Sequence, residues 1–347
     1  MIRKTMRPGL LNSFPWLVAD IGGSNARFGL ILDAETGVQN VITIPGKEHI
    51  ALNQAVACYL QQTKALLGAH FQAPKMAAFA VATPILGDLI SFTNSPWSFS
   101  KSALQAEFKF DSFLVLNDFE ALALSLPRLK PSQFRAHDKA PIDSGCLAVI
   151  GPGTGLGVAG VIETPFGWMA IPGEGGHATL APHDDFESEL LAHVRLSYPH
   201  VSAERLLSGI GLPVLHQGVQ HLMARTCSKM HSGGMTGCQS PLTAELIVQR
   251  GLSKEDPVCV KTIAVFCAML GSFAGSVALT LGARSGVYIG GGIVPRLGEQ
   301  FFESDFRQRF EAKGRFQTYL ADIPTALITD TMAALTGAAM AIEQYES

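Results

Sequence analysis

Acidic and amide side chains at the end of a predicted strand are the first feature of this sequence that could perform chemistry. Asn117 and Asp118 follow the apolar run 113–116 and precede a helical pattern that stops before Pro127. An aspartate in this position is often only the N-cap of the helix. Its carboxylate could instead be a general base, which takes a proton from a hydroxyl group as that hydroxyl attacks phosphorus. The residues alone leave both interpretations of Asp118 open.

Two further carboxylates and a histidine lie in glycine-rich surroundings. Glu174 and His177 share the loop PGEGGH, where a carboxylate accepts hydrogen bonds from hydroxyl groups and a neutral imidazole donates or accepts them. This combination favours a polyol-binding site over a purely structural histidine. Glu204 follows Ser202 where a helix could begin, and it also fits a capping carboxylate or a solvated helix face.

A glycine turn near the N-terminus could bind an anion. It consists of Asp20, Ile21, Gly22, Gly23, Ser24 and Asn25. Two adjacent glycines let backbone amides approach a phosphate without interference from Cβ atoms, and Ser24 and Asn25 add side-chain donors. Asp20 could hold a water molecule of Mg²⁺, because this ion keeps much of its hydration shell. The alternative is an ordinary hairpin turn.

A second glycine turn has four glycines among residues 151–157, more than a hairpin requires. We interpret Gly153, Thr154 and Gly155 as a phosphate cradle in which the Thr154 hydroxyl is a donor. The single GxGxxG pattern of the chain overlaps this turn. A strand pattern follows it where a dinucleotide fingerprint needs a helix, so we reject that fingerprint.

A third glycine group, Gly290–Gly292, follows a short apolar run. It fits a strand-to-helix turn. It also fits a flat surface, at Gly291 and Gly292, against which an adenine or a ribose can lie.

Strand patterns flank the first two glycine turns, so strand–glycine turn–strand occurs twice, at 16–32 and 147–163. This recurrence predicts two related halves, each with a phosphate cradle. Apolar spacing predicts the remaining elements: helices over 51–67, 183–225 in large part, 259–282, 305–314 and 333–344, and strands over 76–84, 113–116, 287–289 and 325–328.

Composition and charge restrict the class of protein. The chain has 347 residues, of which 47% are apolar and 16% charged, so it is predicted to be globular with room for two domains. A formal charge of −3 argues against binding to nucleic acid or an anionic membrane. Six scattered cysteines without a CxxC pair, and an N-terminal segment interrupted by polar residues, predict reduced thiols in the cytoplasm. The uncharged segment 262–283 is interpreted as a buried helix and not as a membrane span.

Seven motifs occur in this order along the chain: DIGGSNAR, TNSPWSF, LNDFEA, GPGTGLGV, PGEGGH, SAERLLSG and GGIVPR. From about residue 16 to about residue 342, the chain resembles the bacterial glucokinase family of the hexokinase type. No zinc motif of the ROK group follows His177. The resemblance implies an α/β protein with the two-domain actin-like ATPase fold (RNase H-like), which binds ATP and sugar in an interdomain cleft. The small domain would comprise 14–128 and 329–347, and the large domain 129–328.

The resemblance also implies a role for each candidate residue. Asp118 would be the catalytic base on the sugar 6-hydroxyl. The sugar hydroxyls would be bound by Asn94, Asn117, Asp118, Glu174, His177 and Glu204. ATP would be bound by Asp20, Ile21, Gly22, Gly23, Ser24, Asn25, Gly153, Thr154, Gly155, Gly291 and Gly292. No side chain would bind a metal directly, because Mg²⁺ would arrive with ATP and contact Asp20 through water.

The chain departs from the family pattern at several positions. In the first phosphate loop Ala19 replaces a glycine and Ser24 a threonine, and Ser24 keeps the hydroxyl group. Ile210 stands where the family often has proline, the C-terminal TMAALTG differs from the usual pattern, and the 226–241 loop looks peculiar to this chain. We expect catalysis to survive these changes.

The resemblance therefore implies a cytoplasmic kinase that uses ATP and Mg²⁺ to phosphorylate the 6-hydroxyl of D-glucose at the entry to glycolysis. Neither nucleic acid nor membrane is expected as a partner, and a homodimer is expected because members of the family often form one. Two alternatives stay open: a kinase for another hexose or an amino sugar, and a non-catalytic sugar-binding regulator. The short segment before the first strand leaves little room for a DNA-binding module.

Overall fold

The computed structural model describes residues 13–92, 97–228 and 241–345, and the chain divides into two units. The first unit comprises Met1–Leu129, Gly160–Pro172 and Asp330–Ser347. The second comprises Lys130–Ala159 and Gly173–Thr329.

The N-terminal part of the chain alternates strands and helices. Its elements are β1 (Trp16–Ile21), β2 (Asn25–Ile31), β3 (Gln39–Pro45), α1 (Leu52–Leu67), β4 (Met76–Val81), β5 (Leu89–Ser91), β6 (Ser98–Ser100), α2 (Lys101–Phe108), β7 (Ser112–Asn117) and α3 (Asp118–Ser125). Five of these strands form a sheet of order β3-β2-β1-β4-β7, in which β1, β4 and β7 run parallel and β2 and β3 complete an antiparallel meander.

The rest of the chain is richer in helices. Its elements are β8 (Phe134–Ala136), β9 (Cys146–Pro152), β10 (Leu156–Thr164), β11 (Gly167–Ile171), α4 (Asp185–Val194), α5 (Leu212–Ser228), α6 (Ala244–Leu252), α7 (Pro257–Leu281), β12 (Gly286–Ile289), α8 (Val294–Leu297), α9 (Glu299–Glu303), α10 (Phe306–Glu311), α11 (Gln317–Ala321), β13 (Thr325–Ile328) and α12 (Ala333–Tyr345). A six-stranded sheet has the order β11-β10-β9-β12-β13-β8, with β9, β12 and β13 parallel.

The two sheets share one arrangement. In each, a chain-consecutive pair of strands joined by a glycine turn lies next to further strands that run parallel to the first member of the pair. The prediction of two related halves is confirmed at this level. Residues 160–172 lie within the predicted large domain, but the structure groups them with the first unit, because β11 packs against α3.

Central strands of the first sheet are buried along their length, as expected for parallel strands that are covered on both faces. All six residues of β4 are buried, and so are Trp16–Ala19 of β1. Phe28 of β2 stacks on Tyr59 of α1, while α12 packs against β1 and β4. The core therefore holds the ends of β1, β4 and β7 in fixed positions.

Helix α7 is the long uncharged segment of the sequence. In the part of the chain that the structure describes, it is the one helix long and apolar enough to cross a membrane, and 83% of its most apolar window is buried inside the protein. It packs against α5, α6 and α10. The predicted buried helix is confirmed.

The structure differs from the expected elements in a few places. Several elements were not predicted: strands β3, β5, β6, β8 and β11 and helices α2, α6, α8, α9 and α11. The strands are short or only partly buried, and none of the helices exceeds nine residues, so their apolar periodicity is weak. Within 183–225 only α4 and α5 are α-helical, and the residues between them form turns. Glu204 lies in these turns and does not begin a helix. Pro199, Gly209 and Gly211 in this segment favour turns over a continuous helix.

Candidate active site

The end of β7 presents Asn117 and Asp118 at the start of α3. The Asn117 Oδ1 atom accepts a hydrogen bond from the Phe119 amide at 2.9 Å, and the Glu120 carboxylate accepts one from the Asn117 amide at 3.4 Å. This reciprocal pair is a capping box, so Asn117 is the N-cap. The alternative role of Asp118 as the cap is wrong. Asp118 is the first residue of the helix, and its Oδ1 atom also accepts a hydrogen bond from the Phe119 amide, at 3.0 Å. The positive end of the helix dipole stabilises a carboxylate in this position.

The first glycine turn joins β1 to β2. The Gly22 amide donates to the Asn25 carbonyl at 2.9 Å, and the Gly46 amide donates to the Ser24 carbonyl at 2.8 Å. Ser24 and Asn25 are exposed, while Gly22 and Gly23 are half-buried. The turn therefore offers exposed polar groups on a backbone that two hydrogen bonds hold in place.

Asp20 lies opposite Arg27 in the β1–β2 pair, with 3.7 Å between its Oδ2 atom and the Arg27 Nη1 atom. Arg27 also donates to the Thr331 carbonyl. Burial raises the pKa of Asp20, and the Arg27 charge acts in the opposite direction. One partly buried carboxylate beside a guanidinium does not supply enough ligands to enclose a cation. This donor set fits Mg²⁺ whose other ligands are phosphate oxygens and water.

These first-unit residues share one edge of the sheet. Ile21 of β1 is in register with Val81 of β4, and Val81 with Asn117 of β7. The three strands are parallel, so their carboxyl ends meet at the edge where open α/β sheets bind ligands.

The second glycine turn, between β9 and β10, is held by residues distant in sequence. The Gly153 amide donates to the Gly155 carbonyl at 2.9 Å within the turn. From outside it, the Gly209 amide donates to the Gly153 carbonyl at 2.7 Å and the Ile210 amide to the Thr154 carbonyl at 3.3 Å. Gly209 and Ile210 were not among the predicted site residues. Gly209 of SGIGL was the sequence signal for this close backbone approach, because a Cβ atom there would lie 3.0 Å from the Gly153 carbonyl oxygen.

Glu204 connects this turn to the PGEGGH loop. Its Oε2 atom accepts a hydrogen bond from the Leu156 amide at 2.8 Å, and its Oε1 atom lies 3.8 Å from the His177 Nε2 atom. The Glu204 amide donates to the Gly176 carbonyl at 2.8 Å. A Cβ atom on Gly155 would collide with the Glu204 carboxylate. An alanine at 155 would therefore displace that carboxylate from its present position.

The PGEGGH loop exposes Glu174 and His177 to solvent. Residues Gly175–His177 form a single 3₁₀ turn, closed by the hydrogen bond from the His177 amide to the Glu174 carbonyl at 3.0 Å. The His200 ring nitrogen Nε2 lies 3.0 Å from the His177 carbonyl. The backbone of the loop is thus fixed while both polar side chains remain available to a solute.

The third glycine group lies against the end of β9. Gly291 has a φ of +74°, and a Cβ atom there would collide with the Pro152 carbonyl. The Ile293 amide donates to that same carbonyl at 3.1 Å, whereas Gly292 has open space around its Cα atom. The structure thus places Gly291 and Gly292 next to the strand that leads into the second turn.

The predicted residues fall into two groups, one in each unit. The first unit contains Asp20, Ile21, Gly22, Gly23, Ser24, Asn25, Asn117 and Asp118. The second contains Gly153, Thr154, Gly155, Glu174, His177, Glu204, Gly291 and Gly292. Asn94, and all but the ends of the 226–241 loop, lie outside the described residues.

Comparison with known proteins gives concordant matches over the whole described chain. The family model for Glucokinase matches residues 17–345. A glucokinase of Aromatoleum aromaticum is 44% identical over 339 residues, which is 97% of each chain. The crystal structure of glucokinase from an Antarctic psychrotroph superimposes with a TM-score of 0.83 at 34% identity, covering 96% of this chain and 99% of that one.

A more distant structure shares the fold. The ROK family glucokinase from Streptomyces griseus, in complex with glucose and AMPPNP, superimposes with a TM-score of 0.58 at 16% identity, covering 94% of this chain and 98% of that one. These neighbours have the actin-like ATPase fold, so the predicted fold class is confirmed.

Proposed function

This chain belongs to the glucokinase family and is a hexose kinase, and on that premise we propose that it transfers the γ-phosphoryl group of ATP to the 6-hydroxyl of D-glucose. In the proposed step the glucose O6–H bond breaks as its proton passes to the Asp118 carboxylate. The O6 atom forms a bond to the γ-phosphorus, the bond to the β,γ-bridging oxygen breaks, and ADP leaves.

The observation that carries the assignment of Asp118 is its position beside a separate N-cap. Asn117 is the N-cap of the helix, and the Asp118 Oδ1 atom accepts a hydrogen bond from the same Phe119 amide at 3.0 Å, which orients its carboxylate at the end of β7. Positioning and electrostatics dominate phosphoryl transfer, and a general base adds on the order of 10²–10⁴ in rate.

We assign sugar recognition to exposed polar residues of the second unit and to the side-chain amides of two asparagines. Glu174 and His177 are open to solvent and suit hydroxyl groups as partners. Glu204 uses one oxygen for the Leu156 amide, so its Oε1 atom is the one we assign to a sugar hydroxyl. Asn117 and Asn94 complete the proposed set.

Phosphate binding is assigned to the two glycine turns, and adenine or ribose contact to Gly291 and Gly292. Mg²⁺ bound to the phosphates would neutralise charge that develops on them during transfer. Asp20 would hold a water of that ion, in keeping with its partly buried carboxylate, whose side chain is 29% exposed.

The experiment is an assay of ADP release with Mg·ATP, run with glucose, mannose, fructose, N-acetylglucosamine and no sugar. The proposal expects strong turnover with glucose and a low rate without sugar. Selective turnover with another sugar would assign the chain to a different hexose or amino sugar. No sugar-dependent turnover from folded protein would favour a sugar-binding regulator.

We further propose a homodimer in the cytoplasm, as the family resemblance implies. Light scattering coupled to size exclusion tests the dimer, since a single monomer mass at micromolar concentration would contradict it. Fractionation of cells that express the chain tests the compartment.

A further inference from the structure

Three side chains of metal-binding type meet in the second unit, and the proposed reaction uses none of them. A ring nitrogen of His216, a carboxylate oxygen of Asp256 and the Sγ atom of Cys259 all lie within 4.8 Å of one another. Imidazole nitrogen, carboxylate oxygen and thiolate sulfur are the ligand types that zinc uses in proteins.

Two packed helices hold these side chains in place. His216 lies in the second turn of α5, which packs against α7. Asp256 is the N-cap of α7, and its Oδ1 atom accepts hydrogen bonds from the Val258 amide at 2.8 Å and the Cys259 amide at 3.3 Å. The three groups are therefore positioned by the fold and not by a surface loop.

The His216 ring is buried with one nitrogen that has no hydrogen-bond partner among the described residues. Its side chain is 6% exposed, and the nitrogen in question is Nε2. Cys259 beside it is fully buried. A buried nitrogen without a partner is unfavourable, and a cation bound through Nε2 would remove that penalty.

We propose that His216, Asp256 and Cys259 form a binding site for Zn²⁺ or a similar late first-row divalent cation. Neutral imidazole, carboxylate and thiolate together carry two negative charges, which balance the cation, and a water molecule would complete a tetrahedron. Ligand atoms around tetrahedral zinc are about 3.3–3.8 Å apart. The three atoms lie within 4.8 Å of one another, so a small contraction of the cluster would bring them to zinc-binding distances. The Cys259 thiol loses its proton to solvent as the metal–sulfur bond forms.

One nearby charge opposes the cation and offers a sharp test. Arg250 interacts electrostatically with both His216 and Cys259. Replacing Arg250 with glutamine removes the positive charge that acts on both groups. This R250Q variant should bind the metal several-fold more tightly than the wild-type chain.

The experiment uses the full chain, free of any histidine tag and stripped with a chelator. Co²⁺ titration followed by absorbance reports thiolate ligation through a ligand-to-metal charge-transfer band, and competition with a chromophoric chelator gives the Zn²⁺ affinity. We expect one equivalent per chain, and at least a tenfold loss of affinity in C259S, H216Q and D256N. D256N keeps a good N-cap and so separates metal ligation from helix stability. C267A, which removes another buried thiol of α7, is the matched control.

Each outcome decides the proposal. Loss of the charge-transfer band in C259S but not in C267A, with weaker binding in D256N, supports the site. Absence of stoichiometric binding, or binding that H216Q and D256N leave unchanged, overturns it. If C259S does not fold, H216Q, D256N and R250Q still decide, because R250Q tests for a gain.

Discussion

The two glycine turns follow equivalent strands in two similar sheets, yet they are held in different ways. The turn in the first unit is closed by the bond from Gly22 to Asn25 and by one bond from Gly46. The turn in the second unit also has one internal bond, from Gly153 to Gly155, but it is held in addition by Glu204, Gly209 and Ile210, about fifty residues away in sequence. One turn is a local structure, and the other is a tertiary assembly.

The two units also differ in how far the residues proposed for catalysis or binding contribute to stability. In the first unit the N-cap is Asn117, so the neighbouring Asp118 can change without loss of the cap. In the second unit Glu204 is both a proposed sugar ligand and the partner of the Leu156 amide. Substitution of Asp118 should therefore affect mainly catalysis, whereas substitution of Glu204 should also affect stability.

The largest expected effect tests this difference in the first unit. Asp118→Asn removes the proposed general base and leaves the Asn117 cap in place, so kcat should fall by about 10²–10⁴, while loss of the charge at the helix N-terminus should cost no more than about 1 kcal/mol of stability. ADP-release kinetics and a circular dichroism melt measure the two quantities. Near-wild-type turnover would exclude Asp118 as the base. A large fall in the midpoint would contradict this difference.

The next effect concerns the backbone of the second unit. Gly291→Ala places a Cβ atom against the Pro152 carbonyl at a positive φ, so it should destabilise the protein by about 2–4 kcal/mol. Gly292→Ala is the matched control, because nothing lies within 4 Å of its added atom. Urea unfolding compares the two variants. Equal stabilities would show that the end of β9 yields more easily than the structure indicates.

A smaller effect contrasts the two turns directly. Gly155→Ala displaces the Glu204 carboxylate from the Leu156 amide, which should cost about 1–3 kcal/mol. Gly22→Ala meets only the Asn25 carbonyl at 3.6 Å, an ordinary contact, and should change stability by no more than about 0.5 kcal/mol. Unfolding of both variants in one buffer provides the comparison. A larger loss at Gly22 would reverse the distinction between local and tertiary turns.

The sequence predicted the local turn better than the assembled one, for a physical reason. Strand–glycine–strand patterns locate both hairpins, and apolar periodicity locates α7 and β4, because these depend on near neighbours. The contacts of Glu204 with Leu156 and His177 join segments far apart in the chain, so only motif resemblance pointed to them. Periodicity likewise misassigned the turns before α5, where backbone hydrogen bonds to residues 153 and 154 override helical spacing.

The strand end at Asn117 and Asp118 shows the same limit at shorter range. Asparagine and aspartate are almost equally favoured as N-cap residues, so the sequence does not decide which of these two neighbours caps the helix. The structure resolves the choice through Glu120, whose carboxylate returns to the Asn117 amide. The capping-box spacing from Asn117 to Glu120 was the available signal.

The smallest expected effect concerns Asp20, where stability and catalysis should move in opposite directions. Because burial raises the pKa of Asp20, its charged form is disfavoured in the folded state. The uncharged form therefore stabilises the fold at low pH, and this stability is lost as pH rises through the raised pKa. Asp20→Asn should be more stable than wild type at pH 7.5, by at most about 1 kcal/mol, with a smaller difference at pH 4.5.

Its KM for Mg·ATP should rise, because the water-mediated contact to the ion is weakened. Melting curves at both pH values measure the stability difference, and ATP titrations measure the KM. A stability gain without loss of ATP affinity would leave Asp20 a buried charge with no part in phosphate binding, and the local turn would then hold nucleotide through its backbone and Ser24 alone.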